Sequence, residues 1–467
     1  MKVARMRGQA WRLLWHDTAD LGLARDGLAL AEQRGVWRLE ALYPWADTRA
    51  EHWPPGASPP VLMEGADPAA FGVKAPTRAI ASCEGMLRTV SLRAGEGVVN
   101  LSWLDAEIRA VTLREPCARV WLESDDDNAC VDLALALAAQ LRLSVPRASL
   151  AAEALSAVMG EPAKPRRLGA PDMPADVAPA DAFAHVVGHL TDVILHWAPL
   201  AHAGQAIEPV HQMRVALRRL RAGLSVFRRA VDSPAVQAVA DMARHLLRLL
   251  GPARDWDVFI SETGAAVADA FAEDKAVNRL LAAADRKRQA AYAELRTYLD
   301  GPEFRGLGIR LAALAGSKSW LAQLGDEQRA VLATDLVAFA NHVLDRRLKR
   351  LVDAAEDLAA LDTAALHKVR LDGKRLRYAA EIFAPLFNRK AVQRFLRRLA
   401  SLQERLGSLN DNAVTTQLMA EVAGERSGAE RAYAAGVVRG FVAARADVAR
   451  ADMARAWDRF RKVKPFW

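Results

Sequence analysis

A duplicated segment constrains this chain more than any other feature of its sequence. His211-Gln212-Met213-Arg214-Val215-Ala216-Leu217-Arg218-Arg219-Leu220-Arg221 returns as His367-Lys368-Val369-Arg370-Leu371-Asp372-Gly373-Lys374-Arg375-Leu376-Arg377, an offset of 156 residues. The same shift carries Phe227 onto Phe383. It also carries Leu250-Gly251-Pro252-Ala253-Arg254-Asp255 onto Leu406-Gly407-Ser408-Leu409-Asn410-Asp411, with no gap between. Chance similarity between two arginine-rich segments does not hold register that far. Apolar residues recur in both copies at helical spacing, so each copy reads as a multi-helix unit, and short connections favour antiparallel bundles.

At 100° per residue, His211, Arg214, Arg218 and Arg221 fall within about 80° of one another, while Met213, Leu217, Leu220, Leu224 and Phe227 share a second arc of about 80°. One face packs and the adjacent one carries cations. The second copy repeats this with His367, Arg370, Lys374 and Arg377 against Leu376 and Phe383. Arg219 and Arg375 flank the apolar side, placed to pair with carboxylates inside a bundle. Between 211 and 231 there is no Asp or Glu, so the i,i+4 ion pairs that lace an ordinary solvated helix are missing. Pro209 and Asp362-Thr363 put both histidines in the first turn of a helix, whose free N–H groups and positive dipole end attract anions. Each histidine is read as either a packing residue or a phosphate contact. Asp255 and Asp411 read as structural caps or arginine partners, because no second carboxylate accompanies them at catalytic spacing.

The charge balance singles out the same region. Of 64 Lys plus Arg and 56 Asp plus Glu, residues 1–177 hold 20 and 23, so 178–467 hold 44 and 33. The excess positive charge lies wholly in the C-terminal part and calls for an acidic partner. Residues 161–180 contain five prolines and read as a linker where this change occurs. Before it, segments such as Trp37–Leu42 and Val99–Leu104 sit between Gly and Pro clusters and read as strands. After it, Ala, Leu and Arg dominate at helical period. The expected fold class is α+β multidomain: a β-rich domain over 1–160, a linker over 161–179, and an all-α domain over 180–467 with repeats at about 180–330 and 331–467. Neither an export signal nor a run of 18 apolar residues is apparent, which predicts a cytoplasmic protein that does not enter the membrane. The three cysteines, Cys83, Cys117 and Cys130, lack CxxC spacing, so no disulfide framework, metal site or cofactor is expected.

The pattern His-x-x-Arg-x-x-x-[Arg/Lys]-Arg-Leu-Arg, followed by Leu-Gly-x-x-[Arg/Asn]-Asp and then a second copy, resembles the CHAD domain, the conserved histidine α-helical domain. The likeness runs from about Ala180 to the closing Lys464-Pro465-Phe466-Trp467. It implies two pseudo-symmetric four-helix bundles that bind inorganic polyphosphate on central basic surfaces, and for some members residence on polyphosphate granules. Carried over by motif position, the polyphosphate-binding residues are His211, Arg214, Arg218, Arg219 and Arg221, with His367, Arg370, Lys374, Arg375 and Arg377.

The N-terminal part resembles a CYTH domain, the antiparallel tunnel of triphosphate tunnel enzymes, through Asp17-Thr18, Leu23–Leu30, Trp37-Arg38-Leu39 and Asp105. It departs from that family where metal-dependent chemistry needs carboxylates. Met1–Trp15 has no Glu-x-Glu-x-Lys strand, Ala31 and Gln33 stand at basic positions, and the late strand Arg119-Val120-Trp121-Leu122-Glu123 keeps one acid. The acidic run Asp125-Asp126-Asp127 reads as solvated. A degenerate, non-enzymatic CYTH-like domain is therefore expected. The alternatives are a triphosphatase or polyphosphatase, and a nucleic-acid binder. The stripes offer no interleaved aromatic for base stacking, Tyr378 being the nearest, which argues against nucleic acid. The partner of the N-terminal domain is not legible.

Overall fold

The alternating N-terminal segments pair, in a computed structural model of the chain, as one antiparallel sheet of seven strands. The structure describes residues 6–42, 61–73, 75–94, 97–111, 113–161, 173, 177–317, 319–355, 358, 361–424 and 428–467, without the side chains of 94, 319, 363, 408–412 and 445–452. The proline-rich stretch 161–179 thus lies largely outside the described residues. Strands β1 (Arg7–Asp17), β2 (Leu28–Gln33), β3 (Val36–Ala41), β4 (Val61–Gly65), β5 (Arg78–Ala94), β6 (Gly97–Ala110) and β7 (Arg114–Glu123) lie in the order β4-β3-β2-β1-β5-β6-β7. The segments expected at Trp37–Leu42 and Val99–Leu104 fall on β3 and within β6.

Arg34 and Gly35, at φ 54° and 81°, make the two-residue β2–β3 hairpin, whose positive-φ turn matches the strand twist. Gly85 lies where β5 and β6 approach closely, since an added Cβ would stand 2.1 Å from the Asp105 carbonyl oxygen. After β1 comes one helical turn, α1 (Gly22–Arg25), capped by Asp17, which accepts the N–H groups of Leu23 at 2.9 Å and Ala24 at 3.0 Å. In the acidic run, Asp126 accepts the Asn128 N–H at 2.9 Å and caps α2 (Asp127–Gln140). Trp15, Ala31, Ala81, Cys83, Leu104, Ile108 and Cys117 are buried together with Ala151, Ala152 and Leu155 of α3 (Leu150–Met159). The neighbouring strands' register adds Arg38 and Glu40 to that face, opposite Ala31 and Ala29. Burial pushes the Glu40 carboxyl up to about 7 against the pull of Arg38.

Beyond the sheet, the described elements are all helical. In chain order come α4 (Pro179–Ala203), α5 (Glu208–Val231), α6 (Pro234–Val258), α7 (Ala265–Ala270), α8 (Lys275–Asp300), α9 (Pro302–Gly316) and α10 (Asp326–Leu332). They are followed by α11 (Leu336–Asp353), α12 (Thr363–Phe383), α13 (Arg389–Ala423) and α14 (Ala429–Arg461). The 156-residue offset found in the sequence relates α4, α5, α6 and α8 to α11, α12, α13 and α14, so each copy contributes four helices in the same order.

The chain divides into two compact units. The first comprises 1–169, 187–196 and 302–322, and the second comprises 170–186, 197–301 and 323–467. Within the first, α9 packs on α2, and Arg305 donates to the Ala138 carbonyl at 3.0 Å. Within the second, the predicted apolar arc of α5 is buried: Met213, Leu217, Leu220 and Phe227 are sealed from solvent. Phe227 meets Phe183, Phe339 and Phe383 at centroid distances of 5.6, 5.2 and 6.0 Å, joining α5 to α11 and α12. A second apolar cluster joins α6 and α8 to α13 and α14 through Trp256, Val277, Leu280, Met419, Val422 and Val438. The closing segment docks as well: Phe466 and Trp467 lie 5.4 and 5.2 Å from Phe395, and the Trp467 indole donates to Asp345 at 2.6 Å. Among the described residues no helix is long and apolar enough to cross a membrane.

Candidate functional site

The two stripe helices, α5 and α12, pack directly on each other within the second unit. Gly223 lets α4 come close to α5, for a Cβ there would meet Val186 at 3.0 Å, whereas Ile382 of α12, at 3.9 Å, would stand at ordinary contact distance. The apolar arcs of α5 and α12 meet at Phe227 and Phe383. The cationic positions are thereby fixed on rigid helices, which favours a preorganised charged surface over a collection of mobile side chains.

In the first copy the positive charge is poorly compensated. Arg214 has 19% of its side chain exposed, and its only described carboxylate partner, Asp255, stands 3.7 Å away. Burial, with Arg218 and Arg254 nearby, draws the Arg214 guanidinium down to about 10, while Asp255 opposes the shift. Burial also raises the Asp255 carboxyl, although Arg214, Arg218 and Arg254 pull it the other way. Arg221 is lowered by burial and then by Arg244, Arg375 and Arg218, so it connects the first stripe electrostatically to the second. Arg244 and Arg254, both on α6, belong to this surface and were not singled out among the sequence-derived contacts. The signal for Arg254 was the Leu-Gly-x-x-Arg-Asp segment itself, which carries it beside Asp255, while Arg244 lies outside that segment.

His211 sits in the first turn of α5, half-buried, and its N–H already bonds the Ile207 carbonyl at 3.3 Å. Burial lowers its pKa, as do Arg254, Arg218 and Arg214, against Glu208. An unfolded histidine takes up its proton near the ordinary value of 6.5, whereas folded His211 resists protonation to a lower pH. The unfolded chain therefore binds more protons in that interval, and His211 subtracts stability as pH falls below 6.5. His211→Gln should accordingly lose less stability than the parent between about pH 7.5 and about pH 5.5 in urea titrations. Equal losses in the two proteins would contradict the assignment.

The second copy differs in a way its sequence similarity hides. Arg375 donates to buried Asp372 at 2.8 Å. Arg377 donates to Glu381 at 2.8 Å and to the Gln403 amide oxygen at 3.3 Å. Arg219 of the first copy reaches the same Glu381 at 3.3 Å. Arg219 and Arg375 thus meet carboxylates, as their flanking positions suggested. Asp372 and Glu381 replace Ala216 and Ser225 of the first copy, so the second stripe carries its own counter-ions. His367 is exposed, Arg370 and Lys374 are partly exposed, and Asp362 accepts the Ala365 N–H at 2.7 Å at the start of α12. The Asp411 side chain lies outside the described residues.

An all-helical scaffold built from two equivalent helix sets concentrates cations where the duplicated helices meet. Residues 185–420 match the CHAD domain family, and the chain belongs to that family. The crystal structure of the CHAD domain from the plant Ricinus communis is similar, with a TM-score of 0.56 and 29% identity over 65% of this chain and 99% of that one. PptA from Streptomyces chartreusis matches with a TM-score of 0.47 and 19% identity over 60% of this chain and 100% of that one. The uncharacterized protein MT2285 of Mycobacterium tuberculosis is 29% identical over 212 residues, 43% of this chain and 39% of that protein. The chain thus covers well under half of that relative's length.

Proposed function

We propose that this chain binds inorganic polyphosphate along the basic helices of its CHAD domain. Membership of a family associated with polyphosphate binding supports the reading. The observation that carries it is the first-copy cluster, where Arg214, Arg218 and Arg254 crowd around one carboxylate, Asp255, and Arg214 is largely withdrawn from water. Desolvating a cation among like charges is unfavourable until an anion arrives. A linear phosphate chain offers closely spaced oxygens that guanidinium groups grip in bidentate fashion. The proposed contacts are His211, Arg214, Arg218, Arg219 and Arg221, with His367, Arg370, Lys374, Arg375 and Arg377, while Asp255 and Asp411 hold structure. The ion pairs of Arg375 and Arg377 make the first copy the stronger half of this surface.

The reading extends to the whole chain. Residues 1–160 form a degenerate CYTH-like domain, joined through 161–179 to the CHAD domain over 180–467, and serve packing, assembly or recruitment without hydrolysing phosphate. Asp17 capping the turn after β1 supports the kinship, and on the sheet face opposite the one packed with Trp15, Cys83 and Cys117 the carboxylates Glu84 and Glu107 are engaged by Arg12 and Arg109. Affinity for polyphosphate would bring the protein to cytoplasmic polyphosphate granules. Competition on one purified sample tests the substrate class. Long-chain polyphosphate should displace labelled single-stranded RNA and duplex DNA, and neither nucleic acid should displace polyphosphate at equal phosphate concentration. Preferential retention of nucleic acid would make the protein a nucleic-acid binder instead.

A further inference from the structure

A second concentration of arginines lies outside the duplicated stripes. Arg228 and Arg229 at the end of α5, Arg346, Arg347 and Arg350 on α11, and Arg375 on α12 line a cavity of 650 Å³ within the second unit. Among the described residues two carboxylates share it, and each has at least one partner. Asp372 accepts from Arg375 at 2.8 Å, and Asp232 accepts from Gln237 at 3.0 Å and lies 3.8 Å from Arg228. Among the described residues six guanidinium groups therefore face two acids, of which Asp372 keeps a buried Oδ2 without a hydrogen-bond partner.

Arg347 is the centre of the arrangement. It donates to the Arg375 carbonyl at 3.2 Å and to the Ser225 hydroxyl at 3.1 Å, while its Nε is buried with no hydrogen-bond partner among the described residues. Burial and the charges of Arg346, Arg375 and Arg350 draw Arg347 down to about 10 while Asp372 opposes the shift, and Arg346 is lowered by burial, Arg229 and Arg350. Arg228, Arg229 and Arg350 stand in the last turns of their helices, where the dipole tolerates cations. Arg346 and Arg347 have no such offset.

The cluster also breaks the internal symmetry. At the equivalent positions of the other copy stand Ala384 and Pro385 for Arg228 and Arg229, and Leu190, Thr191 and Ile194 for Arg346, Arg347 and Arg350. Duplication does not account for these charges. Among the described residues no aromatic side chain lines the cavity, which leaves none of them to stack on a nucleobase, and its walls are predominantly polar.

We infer that this pocket is a second seat for a phosphate-only polyanion, holding a compact oligophosphate by itself and the end of a longer chain that also lies on the first stripe. The inference rests on the polyphosphate reading for its ligand class. Arg221 and Arg375, which sense each other electrostatically, join the two seats. Bridging both seats makes the second contact intramolecular, so long chains bind more tightly than short ones without any new type of contact.

The test is calorimetric titration of the full chain with tripolyphosphate and, separately, with long-chain polyphosphate. The parent should take up tripolyphosphate at two sites. The double variant Arg346→Ala, Arg350→Ala changes two exposed side chains and should lose one of them, with affinity there falling at least about tenfold. Its melting temperature without phosphate should equal or exceed the parent's, because like-charge repulsion is relieved, and phosphate should raise it less than it raises the parent's. Arg214→Ala with Arg218→Ala should abolish the other site and leave the pocket's. Unchanged stoichiometry and affinity for tripolyphosphate in the Arg346, Arg350 variant would overturn the second seat while leaving long-chain binding intact. Absence of long-chain binding in the parent would instead overturn the polyphosphate reading itself.

Discussion

Replacing Arg214 and Arg218 together by alanine is expected to weaken polyphosphate binding by roughly two orders of magnitude near physiological salt. Each residue would make charge-assisted hydrogen bonds to phosphate, worth roughly 1.5–3 kcal/mol apiece, and a loss of about 3 kcal/mol corresponds to a factor of roughly 10². The same change should lower the slope of log affinity against log salt by nearly one unit per lost contact, because each contact displaces a condensed counter-ion. Stability should be retained or raised, since the free protein loses cations that repel each other around Asp255. Arg439, off both stripes, provides the comparison: its replacement should alter affinity little, because an exposed distant charge acts through screened solvent. Equal losses at Arg439 and at the Arg214, Arg218 pair would mean that net charge, and not this surface, does the binding.

Phe227→Ala should produce the largest loss of stability of any single substitution considered for the second unit, about 3–5 kcal/mol. The ring is completely buried and touches Phe183, Phe339 and Phe383, which belong to three other helices. Its removal leaves a cavity at the point where α5 and α12 are clamped, so surrounding rings can relax only partly. Chemical denaturation of the full chain, followed by far-ultraviolet circular dichroism, measures the effect on the helical transition. A loss below about 1 kcal/mol would show that the phenylalanine cluster is not what holds the stripe helices together. Phe383→Ala should be similar alone and less than additive in combination, because both rings line one cavity.

The helical fold was legible because the sequence states it twice. A gapless repeat with matching apolar arcs leaves few packings open, and the four helices of each copy follow one another at the same offset. The sheet was legible from alternation bounded by turn residues, and its seven-stranded order required the register that only pairing provides. Three features were harder to read. The assignment of residues 187–196 and 302–322 to the same compact unit as the sheet depends on tertiary packing and leaves no mark in local composition. The inequality of the two stripes hinges on Asp372 and Glu381, acids at positions where the first copy has Ala216 and Ser225, so a comparison centred on shared cations passes over them. The arginines of α11 escaped notice for the opposite reason, since Arg346, Arg347 and Arg350 have no counterparts in the other copy. Similarity detects what duplication preserved. Charges that only one copy carries emerge once folding brings α5, α11 and α12 together.

The most direct measurement is a titration of the full chain with long-chain inorganic polyphosphate at several salt concentrations, read by calorimetry. The account predicts saturable binding whose logarithmic affinity falls steeply and about linearly with log salt, with a slope of several units reflecting the number of cations engaged. Saturable binding should persist near physiological salt, because Arg214 is largely withdrawn from water and its interaction with phosphate is screened less than that of an exposed charge. Absence of binding at any salt concentration, or an affinity that does not change with salt, would contradict it.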